Sequence, residues 1–263
     1  MLNRKQERII RYYFRKWVKH LTLLLSSLIC LVLESFLFQL CHVRQLSIRY
    51  FKQRSQCEHC RQPIQWYDLI PVASFLLLRG RCRYCHAQLS ILYLAGEILA
   101  CIPVLLLSYH VVLLPQELFT ALYLLLLAAA LYDIQTQTIP LHYLLITFII
   151  ALTLAPQIYV FNFFIVGLLH LLFFVSRYAI GYGDIFLFSV ISLTVPYLFF
   201  LFLFCITFII GGCIILICLL CKKRILHIPL IPFIFFLLYQ PLSFTQTFYI
   251  FSTLTDRSMK IEY

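Results

Sequence analysis

Charge is the scarcest commodity in this chain. Of its 263 residues only 12% are Asp, Glu, Lys or Arg, and only ten are acidic. A soluble domain carries about 25% charged residues and roughly 45–50% apolar ones. Here 63% are hydrophobic, and mean hydropathy is +0.94. No core at this size hides so much apolar surface, so a soluble globular fold is excluded, as are disorder, collagen and a secreted disulfide scaffold. Glycine is scarce too, at seven residues. A dinucleotide fingerprint is missing, since the strand and the third glycine it needs are not there. The chain also lacks a small-x-small cleavage site after its first apolar run, so residues 1–20 do not read as a cleavable signal peptide. Met1 and Met259 are the only methionines, so no later one offers a useful alternative start.

What is present is long apolar runs. Leu21–Leu33, Leu122–Leu131 and Pro196–Leu220 are continuous rather than alternating, which excludes a transmembrane β-barrel. A spanning helix takes about 20 residues. Eight segments qualify, near 21–40, 91–110, 113–132, 141–157, 160–178, 185–200, 201–221 and 229–250. The expected fold is an all-α polytopic membrane protein of about eight transmembrane helices. Its parts are a basic extension at 1–20, a first hydrophobic segment at 21–40, a polar loop at 41–90, a helical membrane domain at 91–250 and a polar tail at 251–263. Only the loop is large enough to be a small soluble domain.

The basic residues orient the chain. Seven lie in 1–20, eight in 41–90, and others at Arg177 and Lys222–Arg224, while the connections near 110–117, 155–162 and 196–201 have none. Positive residues stay in the cytoplasm, so the loop, Arg177 and 222–224 are expected there, together with the connection at 133–140. One conflict follows. If 21–40 spans, the seven charges of 1–20 lie on the opposite side. The net charge of +11 has a lipid explanation, since basic residues at membrane edges pair with anionic headgroups. No nucleic-acid-binding motif accompanies it.

Eleven cysteines fall into two populations. Cys57-Glu-His-Cys60 and Cys82-Arg-Tyr-Cys85 lie in the loop, and two such knuckles supply four thiolates to one tetrahedral zinc. The closed shell makes the site structural, and metal binding would supply much of the loop's folding energy. A redox pair or disulfide is the alternative for these four, and His59 and His86 are alternative ligands. Cys30, Cys41, Cys101, Cys205, Cys213, Cys218 and Cys221 read as small buried hydrophobes.

Two acids stand at the ends of hydrophobic runs. Asp133 closes one, in Leu131-Tyr132-Asp133-Ile134-Gln135-Thr136-Gln137-Thr138-Ile139-Pro140, and Asp184 opens another, in Gly181-Tyr182-Gly183-Asp184. Ionisable groups in the bilayer are expensive and usually functional. Two carboxyls brought close cannot both ionise. The ionised one takes a proton from water, and the protonated one donates to the scissile carbonyl and then to the leaving amine. Gly181 and Gly183 let backbone approach a substrate strand and turn sharply before the helix. The alternatives are a helix N-cap for Asp184 and an interfacial helix-end residue for Asp133.

These elements, in this order, resemble the type IV prepilin leader peptidases, a family of membrane aspartic endopeptidases. The match runs through Arg54-Ser55-x-Cys57-x-x-Cys60, Trp66-Tyr67-Asp68-Leu69-Ile70-Pro71, Leu78-Arg79-Gly80-Arg81-Cys82-Arg83-x-Cys85 and Glu97, then Asp133-x5-Ile139-Pro140 and Gly181-x-Gly183-Asp184, over roughly residues 25–220. The resemblance implies a multi-pass protein of the cytoplasmic (inner) membrane. It would cleave the basic leader of prepilins and pseudopilins after a glycine at the cytoplasmic face, with Asp133 and Asp184 catalytic. It also implies N-methylation of the new terminus from S-adenosylmethionine, an activity tied to the 41–90 loop. The compact form is similar to members that serve competence pseudopili. The chain departs from the pattern at Phe186, where the family has Lys, at Leu141, where it often has Asp or Asn, and at Glu34, where it favours Gly. The Glu34 change bears on methylation, because it falls near the part tied to that activity. Other readings are an intramembrane aspartic protease with a different substrate, and a non-enzymatic carrier or assembly factor. Inverted repeats, which would favour a carrier, are not found in the sequence.

Overall fold

A computed structural model describes residues 4–43, 54–57, 59–108, 114–155, 161–175, 181–221 and 230–239, without the side chains of 4–12, 218, 219 and 237–239. The expectations for Arg177, Lys222–Arg224, the Cys218 side chain and the 251–263 tail lie outside these residues.

Ten α-helices are described: α1 (Arg4–His42), α2 (Ala73–Leu77), α3 (Ile91–Leu99), α4 (Ile102–Ser108), α5 (Gln116–Thr136), α6 (Leu141–Leu154), α7 (Asn162–Val175), α8 (Tyr182–Thr194), α9 (Tyr197–Leu220) and α10 (Ile231–Tyr239). No strand occurs among the described residues, only two isolated bridges. Four stretches are long and apolar enough to cross a membrane: Tyr13–His42, Ile91–Ser108, Gln116–Thr136 and Tyr197–Ile217. Leu141–Leu154, Asn162–Val175 and Tyr182–Thr194 are shorter apolar helices. With α10, whose continuation lies outside the described residues, these account for the eight hydrophobic segments. The fold is the all-α polytopic one.

Helix α5 is the axis of the bundle. It packs against α1, α3, α4, α6 and α10, and thirteen of its residues are buried, from Leu118 to Asp133. A helix surrounded on all sides shows no polar stripe. Ala128, Ala129 and Ala130 keep its last turns thin, so neighbours approach closely. Tyrosine hydroxyls tie it in place: Tyr123 donates to the Leu99 carbonyl (3.0 Å) and Tyr143 to the Leu125 carbonyl (2.8 Å). Helix α8 forms a second layer against α6, α7 and α9. Buried Asn162, at the start of α7, donates to the carbonyls of Ser192 and, at 2.8 Å, Val195, closing the α8 C-terminus. Large apolar side chains line the outside, among them Phe164, Leu171 and Phe174 on α7, as lipid contact requires.

Helix boundaries differ from the hydropathy reading where proline intervenes. The second span breaks at Ala100–Cys101, just before Pro103, and α8 ends before Pro196 rather than near residue 200. Helix α1 is uninterrupted from Arg4 to His42, about 58 Å at 1.5 Å per residue. Its basic end is therefore the end remote from the 41–90 loop. Of the six outlying cysteines whose side chains are described, Cys30 and Cys41 are buried, Cys101 is half-buried, and Cys205, Cys213 and Cys221 are exposed on the helix surface. These three correct the expectation of burial: in a membrane protein, the outside is as apolar as the core.

Candidate active site and cysteine cluster

Asp133 and Asp184 come from different layers, and the turn between α5 and α6 joins them. Helix α5 runs one turn past Asp133 and stops at Gln137, which is left-handed (φ 53°) and donates its N–H to the Asp133 carbonyl at 2.9 Å. Thr136 donates to the Tyr132 and Thr138 carbonyls, at 3.0 and 3.1 Å. Pro140 then starts α6. This tight turn carries Ile139 across to α8, where a Cβ on Gly183 would lie 3.2 Å from Ile139 Cδ1. Gly183 is thus the seat for Ile139, and the two motifs meet through that contact.

Gly181, not Asp184, is the cap residue of α8. Asp184 stands three positions later and folds its carboxylate back, so that a Cβ on Gly181 would lie 3.1 Å from Asp184 Oδ2. Asp133 is 5% exposed, with one carboxylate oxygen lacking any hydrogen-bond partner. The backbone N–H of Ile231, where α10 begins, approaches the Asp133 carboxylate. The two carboxylates lie within electrostatic reach of each other. Two carboxyls so placed, one buried and one half-buried at helix ends, have the chemistry of an acid–base pair. Phe186, where the resemblance expects Lys, packs on Phe148 and Tyr182. Leu141 is exposed.

The four loop cysteines converge. Their sulfurs all lie within 4.8 Å of one another, with Cys57–Cys85 at 3.8 Å and Cys60–Cys82 at 4.0 Å. A tetrahedral zinc with Zn–S bonds of about 2.3 Å places its sulfurs about 3.8 Å apart, so the cluster fits that ion. The two knuckles are built alike. The Cys57 N–H donates to Gln62 and the Cys82 N–H to Ala87; Arg61 and His86, each just after the second cysteine, are both left-handed at φ 56°. Ile64 donates to Ser55 as Leu89 donates to Gly80, both at 2.8 Å. Backbone N–H groups of Cys85 and Tyr84 point at the Cys82 sulfur and push that thiol down to about 7, as a thiolate ligand needs. His59 and His86 lie outside the cluster, whose four ligands are all cysteines.

The remaining expected residues support the loop. Asp68 accepts both donors of a fork from Arg83, at 2.8 and 2.5 Å, and Arg83 lies over the Tyr67 ring. The Arg83 guanidinium holds the Asp68 carboxyl below its usual range. Glu97 accepts from Ser35 Oγ at 2.9 Å and from the Val72 N–H at 2.6 Å. Ile139 lies in the Asp133-x5-Ile139-Pro140 motif, but spacing does not reveal its contact with Gly183. Glu34 was singled out only as a departure. It is 1% exposed, has no hydrogen-bond partner among the described residues on either carboxylate oxygen, and lies against Gly96. Its sequence signal was a lone acid within an apolar run.

Comparison with known proteins agrees with this architecture. The model for the bacterial peptidase A24 N-terminal domain matches residues 28–111, and that for the type IV leader peptidase family matches residues 120–216. A Bacillus subtilis protein named prepilin leader peptidase/N-methyltransferase is 31% identical over 176 residues, which is 62% of this chain and 69% of that protein. A Vibrio cholerae protein of the same name is 34% identical over 89 residues, 31% of this chain and 35% of the relative. An Escherichia coli type 4 prepilin-like proteins leader peptide-processing enzyme is 47% identical over 55 residues, 21% of this chain and 20% of the relative. The chain thus matches about a third or less of the length of the latter two. No solved structure matches it. On the extent of the Bacillus subtilis match and the two family models that lie end to end along it, the chain belongs to the type IV leader peptidase family.

Proposed function

We propose that the protein is a prepilin peptidase of the cytoplasmic membrane, which removes the basic leader of type IV prepilins or pseudopilins after a glycine at the cytoplasmic face. The observation that carries this reading is the Ile139–Gly183 contact, which unites the Asp133 and Asp184 elements inside the region matched by the family model. In this reading one carboxylate takes a proton from the attacking water. The other, protonated, donates to the scissile carbonyl and then to the leaving amine. Gly181 leaves room for the Asp184 carboxylate. The four cysteines hold a structural zinc, which shapes the loop and takes no part in hydrolysis.

The relatives' names also carry N-methyltransferase activity. We assign the methyl transfer, from S-adenosylmethionine, to the part of the chain around the 41–90 loop. Glu34, buried where the family favours glycine, is the observation that weighs against it.

Co-expression with a prepilin, read by mass spectrometry, tests both activities. The wild type is expected to remove the leader, and methylation adds the mass of one methyl group to the new terminus. Asp133→Asn and Asp184→Asn should each abolish cleavage while the protein still inserts. Retained cleavage in either variant would sink the aspartate assignment.

A further inference from the structure

The loop between α1 and α3 reads as soluble, yet part of it sits at membrane depth. Three span ends share one polar layer: His42, the last residue of α1, bonds Gln135 near the end of α5 (3.3 Å), and Gln135 donates to Ser90, the cap of α3 (3.0 Å). Below this layer, Ser35 lies seven residues back along α1, and Glu97 lies seven residues along from Ser90. At 1.5 Å per residue each is about 10 Å inside it. At that depth Ser35 and the Val72 N–H both donate to the same Glu97 carboxylate. The loop backbone therefore descends about two helical turns below the polar layer before it returns.

The composition of the descending segment matches that position. Leu69-Ile-Pro-Val-Ala-Ser-Phe-Leu-Leu-Leu78 is apolar but for Ser74, and charge stops at Asp68 and resumes at Arg79. Four of its large side chains are exposed: Leu76 is 62% and Leu77 83% exposed, with Leu69 and Ile70 near half. Phe36 and Ile98, each one residue from the Glu97 latch, are exposed at the same level on α1 and α3, so the apolar surface is continuous with the lipid-facing helices. Much of the segment's backbone is paired. Ala73 donates to Pro71, Ser74 to Ile70, Leu76 to Val72 and Leu78 to Ser74, Pro71 has no N–H, and Glu97 takes the Val72 N–H. Non-helical backbone at membrane depth needs protein around it, and the Glu97 contact and the short helix α2 supply that support.

We propose that Leu69–Leu78 is a re-entrant segment immersed in the lipid leaflet on the loop's side, held down by Glu97, with lipid acyl chains as its contact. Trp66, 73% exposed, and Tyr67 then lie at headgroup level, where aromatic side chains gather. Arg79 and Arg81 follow in the aqueous phase, and the cysteine cluster stands above them. This arrangement is independent of the peptidase reading.

Fluorescence quenching tests it in the full chain, in vesicles of phosphatidylcholine and phosphatidylglycerol. Trp17 and Trp66 are the only tryptophans. In a Trp17→Phe, Trp66→Phe background, Leu77→Trp is expected to emit at short wavelength, to lose most of its intensity to lipids with brominated acyl chains, and to resist iodide in the water. Gln88→Trp, exposed on the second knuckle, should show the reverse. Adding Glu97→Ala should make Leu77→Trp accessible to iodide, whereas Glu97→Gln, which keeps an acceptor, should not. A Leu77→Trp that iodide quenches and brominated lipid does not would overturn the proposal and favour a face kept for a protein helix. Zinc content and circular dichroism on each variant confirm that the loop is folded.

Discussion

At the scale of single residues, glycine at 183 is the position that ties the two aspartate elements together. A methyl there would stand 3.2 Å from Ile139 Cδ1, a contact that a side-chain end relieves by moving a few tenths of an ångström. A branched side chain would not be relieved so easily, and overpacking of this kind costs about 1–3 kcal/mol. If that strain falls on the relative placement of the two aspartates, Gly183→Val should lower leader cleavage roughly ten- to a hundredfold, with Gly183→Ala milder. Ile139→Ala in the Gly183→Val chain should return part of the rate. A double variant no better than Gly183→Val alone would show that the contact does not set the carboxylates. Both residues stand in short motifs, Ile139-Pro140 and Gly181-x-Gly183-Asp184. Spacing does not show that one is the seat of the other, because they stand 44 positions apart with two helices between them. Gln137 was equally illegible. No rule of sequence marks a non-glycine residue for the left-handed conformation that ends α5.

The cysteine loop shows what an element can do without a core. Its two knuckles repeat the same hydrogen bonds and the same left-handed residue 25 positions apart, with few large side chains buried between them. In the proposed zinc-bound loop most of their order would come from the ion, since structural zinc supplies on the order of 10 kcal/mol in such sites. Purified protein should carry about one zinc per chain. Cys57→Ser and Cys82→Ser, one from each knuckle, should lose it to similar extents, and a strong chelator should expose the loop to protease while the transmembrane helices resist. Protein purified without chelator and free of zinc would remove the metal assignment. The spacing alone carried most of this element, because a C-x-x-C turn has little conformational choice once a metal is bound. The Glu97 latch was not legible: it depends on a backbone N–H 25 residues away, and backbone groups leave no trace in composition.

For the whole molecule, the decisive relation is that the ends of α1, α5 and the start of α3 share one polar layer, with Asp133 two residues inside it. A reporter fused after Thr138 should therefore share the cytoplasmic side with one in the cysteine loop, and one fused after Leu114 should behave oppositely. Alkaline phosphatase activity at Thr138 would invert the topology and with it the face assigned to the aspartates. The unbroken α1 puts its basic end remote from the loop; if α1 spans the membrane, that end departs from the positive-inside trend, which the same fusions can measure near residue 15. Amino-acid order by itself determined the class of protein, the apolar segments, the cysteine knuckles and the two acids worth naming, because each is written in local composition or short spacing. A lipid solvent makes apolar runs unambiguous, and scarce charge makes each acid conspicuous. Only the tertiary structure decided which residues meet: α5 as the axis, Ile139 on Gly183, Glu97 beneath the loop and Glu34 without a partner among the described residues. Those contacts join segments far apart in the chain, and their energy lies in shape and hydrogen-bond geometry, which periodicity and composition do not encode.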